Sequence, residues 1–467
     1  MSVSEQTIAQ ACRALLDPSG EKPRLSLEEY LAAIPRLESL ADVPRGTAVL
    51  VRGDVDAKPG PNVGDGDLRL RSMTDTLEYG RRLGWKQIVF GHIGRKPEGS
   101  LRAVAGRLGE LLKTEVPLIV DWLDEGSMTV TDQAANAVAE APAGSLLMLE
   151  NTRRYEIERV LWTATPADAQ KLAQPLVKLA GTMAERLGRV YVNEALSAGS
   201  LDTSTTIVPL AMDRVALGKY VASQFDGPML RCLAAQLVVF SGLKTDKLDD
   251  LQAMIDRGAI RWVFTAGSLA MALKKAAAEL DGRDFCLGVA ESPEHKDKPY
   301  YIERSRIEQA RRMLADGRGK GIRFVLPVDF VLQDGRASDT IGPGDQQFDI
   351  GPKTSEVFEQ KIGEFIAEPK ASRGQPVAFY NGVFGMFEDP RFESGTRRFV
   401  AQLKRLKDAG VEVYVGGGEG GAAVDRYGQA DWITHCFTAG GTVLNALGSN
   451  PVPYLQTLKM AVGGGGR

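Results

Sequence analysis

"EVYVGGGEGGAAV" (residues 412–424) passes from a strand-like apolar run straight into glycines. Read as letters, Gly416, Gly418 and Gly421 satisfy the G-x-G-x-x-G spacing of dinucleotide sites. That spacing serves a dinucleotide only inside a βαβ unit, with an acidic residue roughly 20 positions on for the ribose. Here Asp425 and Asp431 come too early, no Asp or Glu follows them, and the remaining chain holds no further convincing pair of strands. A glycine nest at a helix N-terminus needs none of these. Successive backbone N–H groups and the helix dipole make an anion site by themselves. A second cluster, "TAGGTV" (438–443), follows closely and weighs against a turn of purely structural use. No Walker A loop exists, because Lys244 follows "SGL" rather than the spaced glycines that loop requires.

The same strand-then-polar rhythm runs through the chain. "TAVLVRGD" (47–54), "QIVFGH" (87–92), "SLLMLEN" (145–151) and "VYVNEA" (190–195) mark the first half. "LVVFSG" (237–242), "WVFTAG" (262–267), "RFVLPVD" (323–329) and "VAFYNG" (377–382) lead up to the glycine run in the second. Each run is short and nearly all apolar, the pattern of strands buried on both faces. Amphipathic stretches such as "LRAVAGRLGELLKT" (101–114) alternate with them. Alternating β and α signals predict an α/β fold with parallel sheets and crossover helices. At 467 residues the chain exceeds a comfortable single core, so two or three domains are expected. The division falls near residues 205–235, where 214–236 reads as a connecting helix or helix pair. The first 45 residues read as helical, with no signal for their role.

Ligands bind outside the carboxyl ends of strands in open α/β sheets. In the first half those ends carry Arg52, Asp54 and Asp56, then His92, Gly94 and Arg95, then Glu150, Asn151 and Arg153. In the second they carry Gly242, Lys244, Lys247, Gly267, Asn381, Gly382 and the 416–421 cluster. One half suits an anionic small molecule. The other suits a nucleotide phosphate chain held by backbone N–H groups.

The bulk numbers narrow the classes further. A formal net charge of −3 gives no overall attraction for nucleic acid or a membrane surface. No apolar run approaches a membrane span, and the N-terminus lacks the basic flank and apolar core of a signal peptide. The four cysteines share no metal-ligand spacing and the three histidines form no cluster, which fits a cytoplasmic protein with reduced thiols.

These fragments, in this order, resemble phosphoglycerate kinase from about Val49 to Leu444. "VRGDVD" (51–56) is similar to the family's VRxDFN, "DLRLRSMTDTL" (67–77) to its D-x-R-I segment, "GHIGRKP" (91–97) to S-H-L-G-R-P and "LENTRR" (149–154) to L-E-N-L-R-F. "SGLKTDK" (241–247) resembles G-G-A-K-V-x-D-K, "DIGPKT" (349–354) matches D-I-G-P-K-T outright, "YNGVFGMFE" (380–388) resembles W-N-G-P-x-G-V-F-E, and "GGGEGGAA" (416–423) resembles the family's G-G-G-D run. The resemblance implies two Rossmann-like doubly wound parallel-sheet domains facing a cleft and joined by a hinge helix. Their extents would be 1–212 for the acid, 213–236 for the interdomain helix, 237–435 for the nucleotide, and 436–467 for a segment returning toward the N-terminal domain. It implies reversible phosphoryl transfer from 1,3-bisphosphoglycerate to ADP, giving 3-phosphoglycerate and ATP. Mg-ATP or Mg-ADP would be the cofactor, in a monomer without nucleic-acid or membrane partners.

By motif position, Arg69 and Lys244 match the family's two cations that stabilise the migrating group. Arg52, Asp54, Asp56, His92, Arg95 and Arg153 match acid-site residues. Lys247, Gly267, Asn381, Gly416, Gly417, Gly418 and Glu419 match the nucleotide side. Glu388 matches the carboxylate for the ribose, and Glu419 the one that places magnesium through the nucleotide. Asp349 and Lys353 read as a structural turn.

The departures are specific. The family's T-A-H-R-A-H segment is here "SAGSLDTST" (197–205), with Leu201 at the arginine position and Ser200 and Thr203 at the histidine positions. A phosphate-binding arginine is therefore missing, and Arg154 is a candidate substitute. Asp56 replaces an asparagine, Glu419 an aspartate, Gly420 a hydroxyl residue and Val383 a proline; Lys244 and Lys247 stand three apart rather than four. These changes keep open an altered or inactive relative that binds nucleotide or a different carboxylate.

Overall fold

The computed structural model describes residues 3–18, 25–58, 65–242, 247–368, 374–448 and 450–464. It forms two compact units, Met1–Gly227 with Asn450–Arg467, and Pro228–Ser449. The catalytic candidate Lys244 lies outside the described residues.

The first unit is built on β1 (Ala48–Gly53), β2 (Lys86–Phe90), β3 (Leu118–Ile119), β4 (Leu146–Leu149), β5 (Val190–Glu194) and β6 (Arg214–Leu217). All pair in parallel, in the order β3-β4-β2-β1-β5-β6. Register sets Val51 of β1 beside Val89 of β2 and Val192 of β5. Alternate side chains face opposite sides of the sheet. Val49, Val51, Val89, Met148 and Val192 enter one core, while Leu50, Ile88 and Tyr191 are buried among the others. Both faces are covered, which is why the runs read as unbroken apolar segments.

Helix α1 (Glu5–Leu16) is capped by Ser4, whose hydroxyl accepts the Thr7 N–H. It lays Ile8, Cys12 and Leu15 against α3 (Ala169–Arg186), so the N-terminal helix belongs to this unit's core. Between them in sequence, α2 (Asp65–Ser72) follows β1. Residues 214–217, expected inside a connecting helix, instead form β6, paired with β5 from Val190↔Arg214 to Asn193↔Leu217. A four-residue apolar run carries no period that separates strand from helix. The helical path starts at α4 (Lys219–Gln224), whose entry is tied by Glu194 at the end of β5. That carboxylate accepts from the Thr76 hydroxyl and the N–H groups of Tyr220 and Val221.

The second unit carries β7 (Leu237–Gly242), β8 (Trp262–Ala266), β9 (Arg323–Val325), β10 (Val377–Asn381), β11 (Glu412–Val415) and β12 (His435–Cys436). They too are all parallel, in the order β9-β8-β7-β10-β11-β12. A small antiparallel sheet of 330–332, 337–338 and 347–350 is added. Aromatic side chains dominate the core on one face. Phe264, Phe358, Phe384 and Phe399 meet at ring separations of 4.8 to 6.1 Å. Helices α5 (Gly267–Leu280) and α6 (Glu419–Tyr427) start at the strand ends.

Strand order reverses between β1 and β5 in the first unit and between β7 and β10 in the second. That point opens a crevice at the carboxyl ends of the strands. Arg52 and Asp54 stand at one such point, Gly242 and Asn381 at the other.

The chain's final helix, α7 (Pro453–Gly464), belongs to the first unit, packing on the segments 203–206 and 208–211 and on α1. Tyr454, Leu455 and Leu458 are fully buried there, and the Thr457 hydroxyl donates to Thr206 O at 2.9 Å.

Candidate active site

In the first unit the strand ends deliver a buried charged network. Arg52 is 1% exposed, and each nitrogen has a partner: Nε donates to Ser204 Oγ (3.1 Å), Nη1 to Gly53 O (2.8 Å) and Nη2 to His92 Nδ1 (2.7 Å). A guanidinium has no acceptor, so Nδ1 of His92 takes this bond with its lone pair. The ring is therefore neutral, with its proton on Nε2. Burial lowers the affinity of His92 for a second proton; Asp202 works the other way, and Arg52 adds to the lowering. The ring's Nε2 lies 3.9 Å from Asp56 Oδ2.

Asp54 is also buried and accepts the Ser197 hydroxyl at 2.6 Å. Asp56 accepts the Gly94 N–H at 2.8 Å and stands 3.3 Å from Arg69 Nη1. Burial alone would raise the Asp56 carboxyl. The Gly94 N–H, Arg69 and Arg153 outweigh it and hold the group below the ordinary range. The asparagine-to-aspartate departure is thus accommodated by pairing rather than by protonation. Arg69, on α2, keeps part of its surface exposed. Its Nη1 donates to Asp56 O at 2.8 Å and its Nε lies 3.8 Å from Asp54, while Nη2 makes no bond among the described residues. Arg153 is locked more tightly. Its Nη1 donates to Gly94 O (2.7 Å), Nη2 to Ser200 Oγ (3.2 Å) and Asp202 (2.9 Å), and the plane covers the Trp162 ring at 4.7 Å. Arg95 is exposed, with no ion pair among the described residues.

Two buried acids complete this cluster, and sequence reasoning passes over both. Asp202 is fully enclosed. It accepts from Arg153 and from Trp162 Nε1 (2.9 Å), and lies 3.3 Å from His92 Nδ1 and 3.7 Å from Arg52 Nη2. Burial opposes its charge, but the Arg153 and Arg52 guanidinium groups override that and hold the carboxyl below its usual range. Behind it, Glu158 accepts from Ser204 N (2.9 Å), Ser204 Oγ (2.5 Å) and Thr203 Oγ1 (3.0 Å); burial and the Asp202 charge push this carboxyl up. The available signal for Asp202 is a lone acidic residue among small hydroxylated ones just past a buried strand. Arg154 does not join the network. It is exposed and lies 3.7 Å from Asp121.

In the second unit the loops after β7, β8, β10 and β11 edge a cleft of about 470 Å³. This is within the usual size of a small-molecule site. Met271, Leu287, Tyr300 and Phe348 give it apolar walls, while Gly242, Gly267, Glu388 and Glu419 stand at its polar margin. Gly267 has φ +65° and sits so close to β7 that a Cβ would lie 2.8 Å from Gly242 O, which forces glycine at the start of α5. Gly418, φ +70°, likewise precedes α6. Asn381 and Gly416–Gly418 lie at the adjoining strand ends; a Cβ on Gly416 would strike Asn381 Nδ2 at 2.4 Å. Lys247 holds those ends together, donating to Ser241 O (2.7 Å) and Asn381 Oδ1 (3.3 Å). Among the described residues no three carboxylate, histidine or thiol groups converge as a metal site. Of the two carboxylates at the cleft, Glu388 and Glu419, the latter stands at the start of α6 and fits a magnesium ion bound mainly by nucleotide oxygens. Asp349 accepts the N–H groups of Ile350 and Gly395, both at 2.8 Å, and Lys353 pairs with Asp339 at the surface.

The family description "Phosphoglycerate kinase" matches residues 40–450. The phosphoglycerate kinase of Clostridium botulinum (strain Eklund 17B / Type B) is 28% identical over 436 residues, covering 89% of this chain and 96% of that one. Phosphoglycerate kinase 3, cytosolic, of Arabidopsis thaliana is 27% identical over 437 residues, with the same coverage. Among solved structures, phosphoglycerate kinase from Pyrococcus horikoshii OT3 superposes with a TM-score of 0.69 at 22% identity, over 92% of this chain and 99% of that one. The Coxiella burnetii enzyme gives 0.64 at 22%, over 90% and 98%.

Proposed function

This chain belongs to the phosphoglycerate kinase family, and on that footing we propose that it moves a phosphoryl group reversibly between Mg-nucleotide and the carboxyl group of an organic acid. In the ATP-consuming direction a carboxylate oxygen bonds to the γ-phosphorus while the bond to the ADP oxygen breaks. Neither partner needs to gain or lose a proton, so no general base is required. Positioning and cations on the equatorial oxygens do the work.

The observation that carries the reading is the state of Arg69. Arg52 and Arg153 are consumed by internal bonds, whereas Arg69 keeps Nη2 unbonded and partly exposed beside that cluster. A planar fork with a free edge suits phosphoryl oxygens. In the second unit the cleft, with apolar walls and glycines at two helix starts, supports nucleotide binding. Glu388 is proposed for the ribose, and Glu419 for positioning magnesium, which would neutralise phosphate charge when bound. Lys244 is proposed as the cation on the nucleotide side, and Gly416–Gly418 with Asn381 and Lys247 as the frame of the phosphate site.

The family's reaction makes 3-phosphoglycerate and Mg-ATP the first pair to try, with the activity placed in the cytoplasm as in the cytosolic Arabidopsis thaliana relative. A coupled assay of ADP release tests it. Turnover that falls about 10³-fold in Arg69→Ala supports the proposal. Nucleotide binding with no acid-dependent ADP release would reject it. One observation favours a second acid: the anion Asp202 inside the arginine cluster.

A further inference from the structure

The buried part of the acid site already holds an anion of its own. Arg153 and Trp162 donate to Asp202, and Arg52 stands 3.7 Å from it. The other guanidinium groups of Arg52 and Arg153 end on Ser204, Gly53, Gly94 and Ser200, except Nε of Arg153, which is buried without a partner. Arg69 is engaged through Nη1 with Asp56. The three arginines of the network therefore face three carboxylates, Asp54, Asp56 and Asp202, and the His92 ring is neutral.

The segment carrying Asp202 offers the outside no charge. Its partly exposed side chains are Ser197, Ser200 and Leu201, two hydroxyls and one apolar group. A phosphate dianion held at depth needs a free bidentate fork. Here it would find the buried forks of Arg52 and Arg153 occupied and the Asp202 charge behind them, in a setting where like charges interact strongly. Lys58, Arg95 and Lys96 are exposed nearby in sequence, and exposed charges add only screened attraction.

We propose that the acid used by this chain is a carboxylic acid whose far end is uncharged, such as a hydroxy acid without a second phosphate, because Asp202 already supplies from within the fold the anion that Arg153 and Arg52 face. The inference rests on the carboxyl-kinase reading and names its substrate class. Ser197 and Ser200 are the groups positioned to meet hydroxyls of such an acid, and Leu201 its carbon chain.

The test is titration calorimetry of the full chain with glycerate and with 3-phosphoglycerate, in the presence of Mg-ADP, for the wild type and for Asp202→Asn. The wild type is expected to bind glycerate at least as tightly as 3-phosphoglycerate. Asp202→Asn is expected to tighten 3-phosphoglycerate roughly tenfold and to leave glycerate within about threefold. A wild type that prefers 3-phosphoglycerate by more than about tenfold overturns the inference, as does a wild type that binds neither acid. The wild-type comparison stands alone if the variant does not fold. ADP release measured alongside separates the two claims. Release driven by 3-phosphoglycerate in preference to glycerate keeps the kinase and overturns the uncharged-end assignment. Glycerate preferred in binding but no ADP release with either acid supports the assignment and rejects the kinase.

Discussion

Arg69 and Arg153 show how burial gives one side-chain type two different jobs. Arg153 sits 2.9 Å from the fully buried Asp202, with the more exposed Trp162 ring over its plane. Arg153→Ala would strand the Asp202 charge, at a cost of about 3–5 kcal/mol, so its main readout is the denaturation midpoint. Arg69 is partly exposed and its closer ion pair is with the partly exposed Asp56, so Arg69→Ala is expected to leave that midpoint within about 1 kcal/mol while kcat collapses. Arg154→Ala is expected to leave acid affinity unchanged, because Arg154 lies beside Asp121 outside the network; a marked loss in a binding titration would show that it does substitute for the missing arginine. The gathering of positions 52, 54, 92 and 153 is legible in the sequence, since each follows a buried strand and parallel strands bring such ends to one edge. The Asp202 contacts are not. They link residues 49 and 150 positions apart across the sheet, and nothing local in "SLDTST" separates a buried counter-charge from a solvated turn.

At the scale of elements, the strands with long apolar runs are legible, and those that escape are the brief ones. Leu118–Ile119 and His435–Cys436 have two residues each and pair because a neighbouring strand presents an open edge. β6 was masked by the helical stretch that follows it. The junction of β5 and α4 has a consequence for pH. Glu194 is buried where it ties that helix start, and burial raises its carboxyl to about 7 against the pull of Thr76, Tyr220 and Val221. The folded state thus holds a proton that the unfolded chain releases above its ordinary pKa of 4.5. That contribution is complete below pH 4.5 and is lost as pH rises to about 7, a change of about 3 kcal/mol. Glu194→Gln should flatten that part of the profile; chemical denaturation at pH 5 and pH 8 measures the difference. At the nucleotide cleft, Gly418→Ala forces a side chain into φ +70° at the start of α6 and should weaken nucleotide binding severalfold, read by titration with Mg-ADP.

For the whole molecule, the number and class of units are legible from the count of strand runs. The expected junctions are a helix at 213–236 and a returning segment from 436; the observed unit boundaries fall at 227/228 and at 449/450, so the polypeptide passes between units twice. Removing residues 450–467 should therefore injure the first unit and spare the second. The truncated chain loses the buried Tyr454, Leu455 and Leu458, on the order of 5 kcal/mol or more. Hydrogen exchange should rise across 203–217 and stay unchanged across 237–266; equal deprotection of both would contradict the division. The second unit is an unbroken stretch of chain, whereas the first is discontinuous. The first unit's sheet is complete in sequence by residue 217, yet the helix that covers its 203–211 face is made only after the whole of the second unit. A chain cut short of residue 450 would carry the second unit's entire sequence and a first unit with that face uncovered, a species for which chaperones would compete.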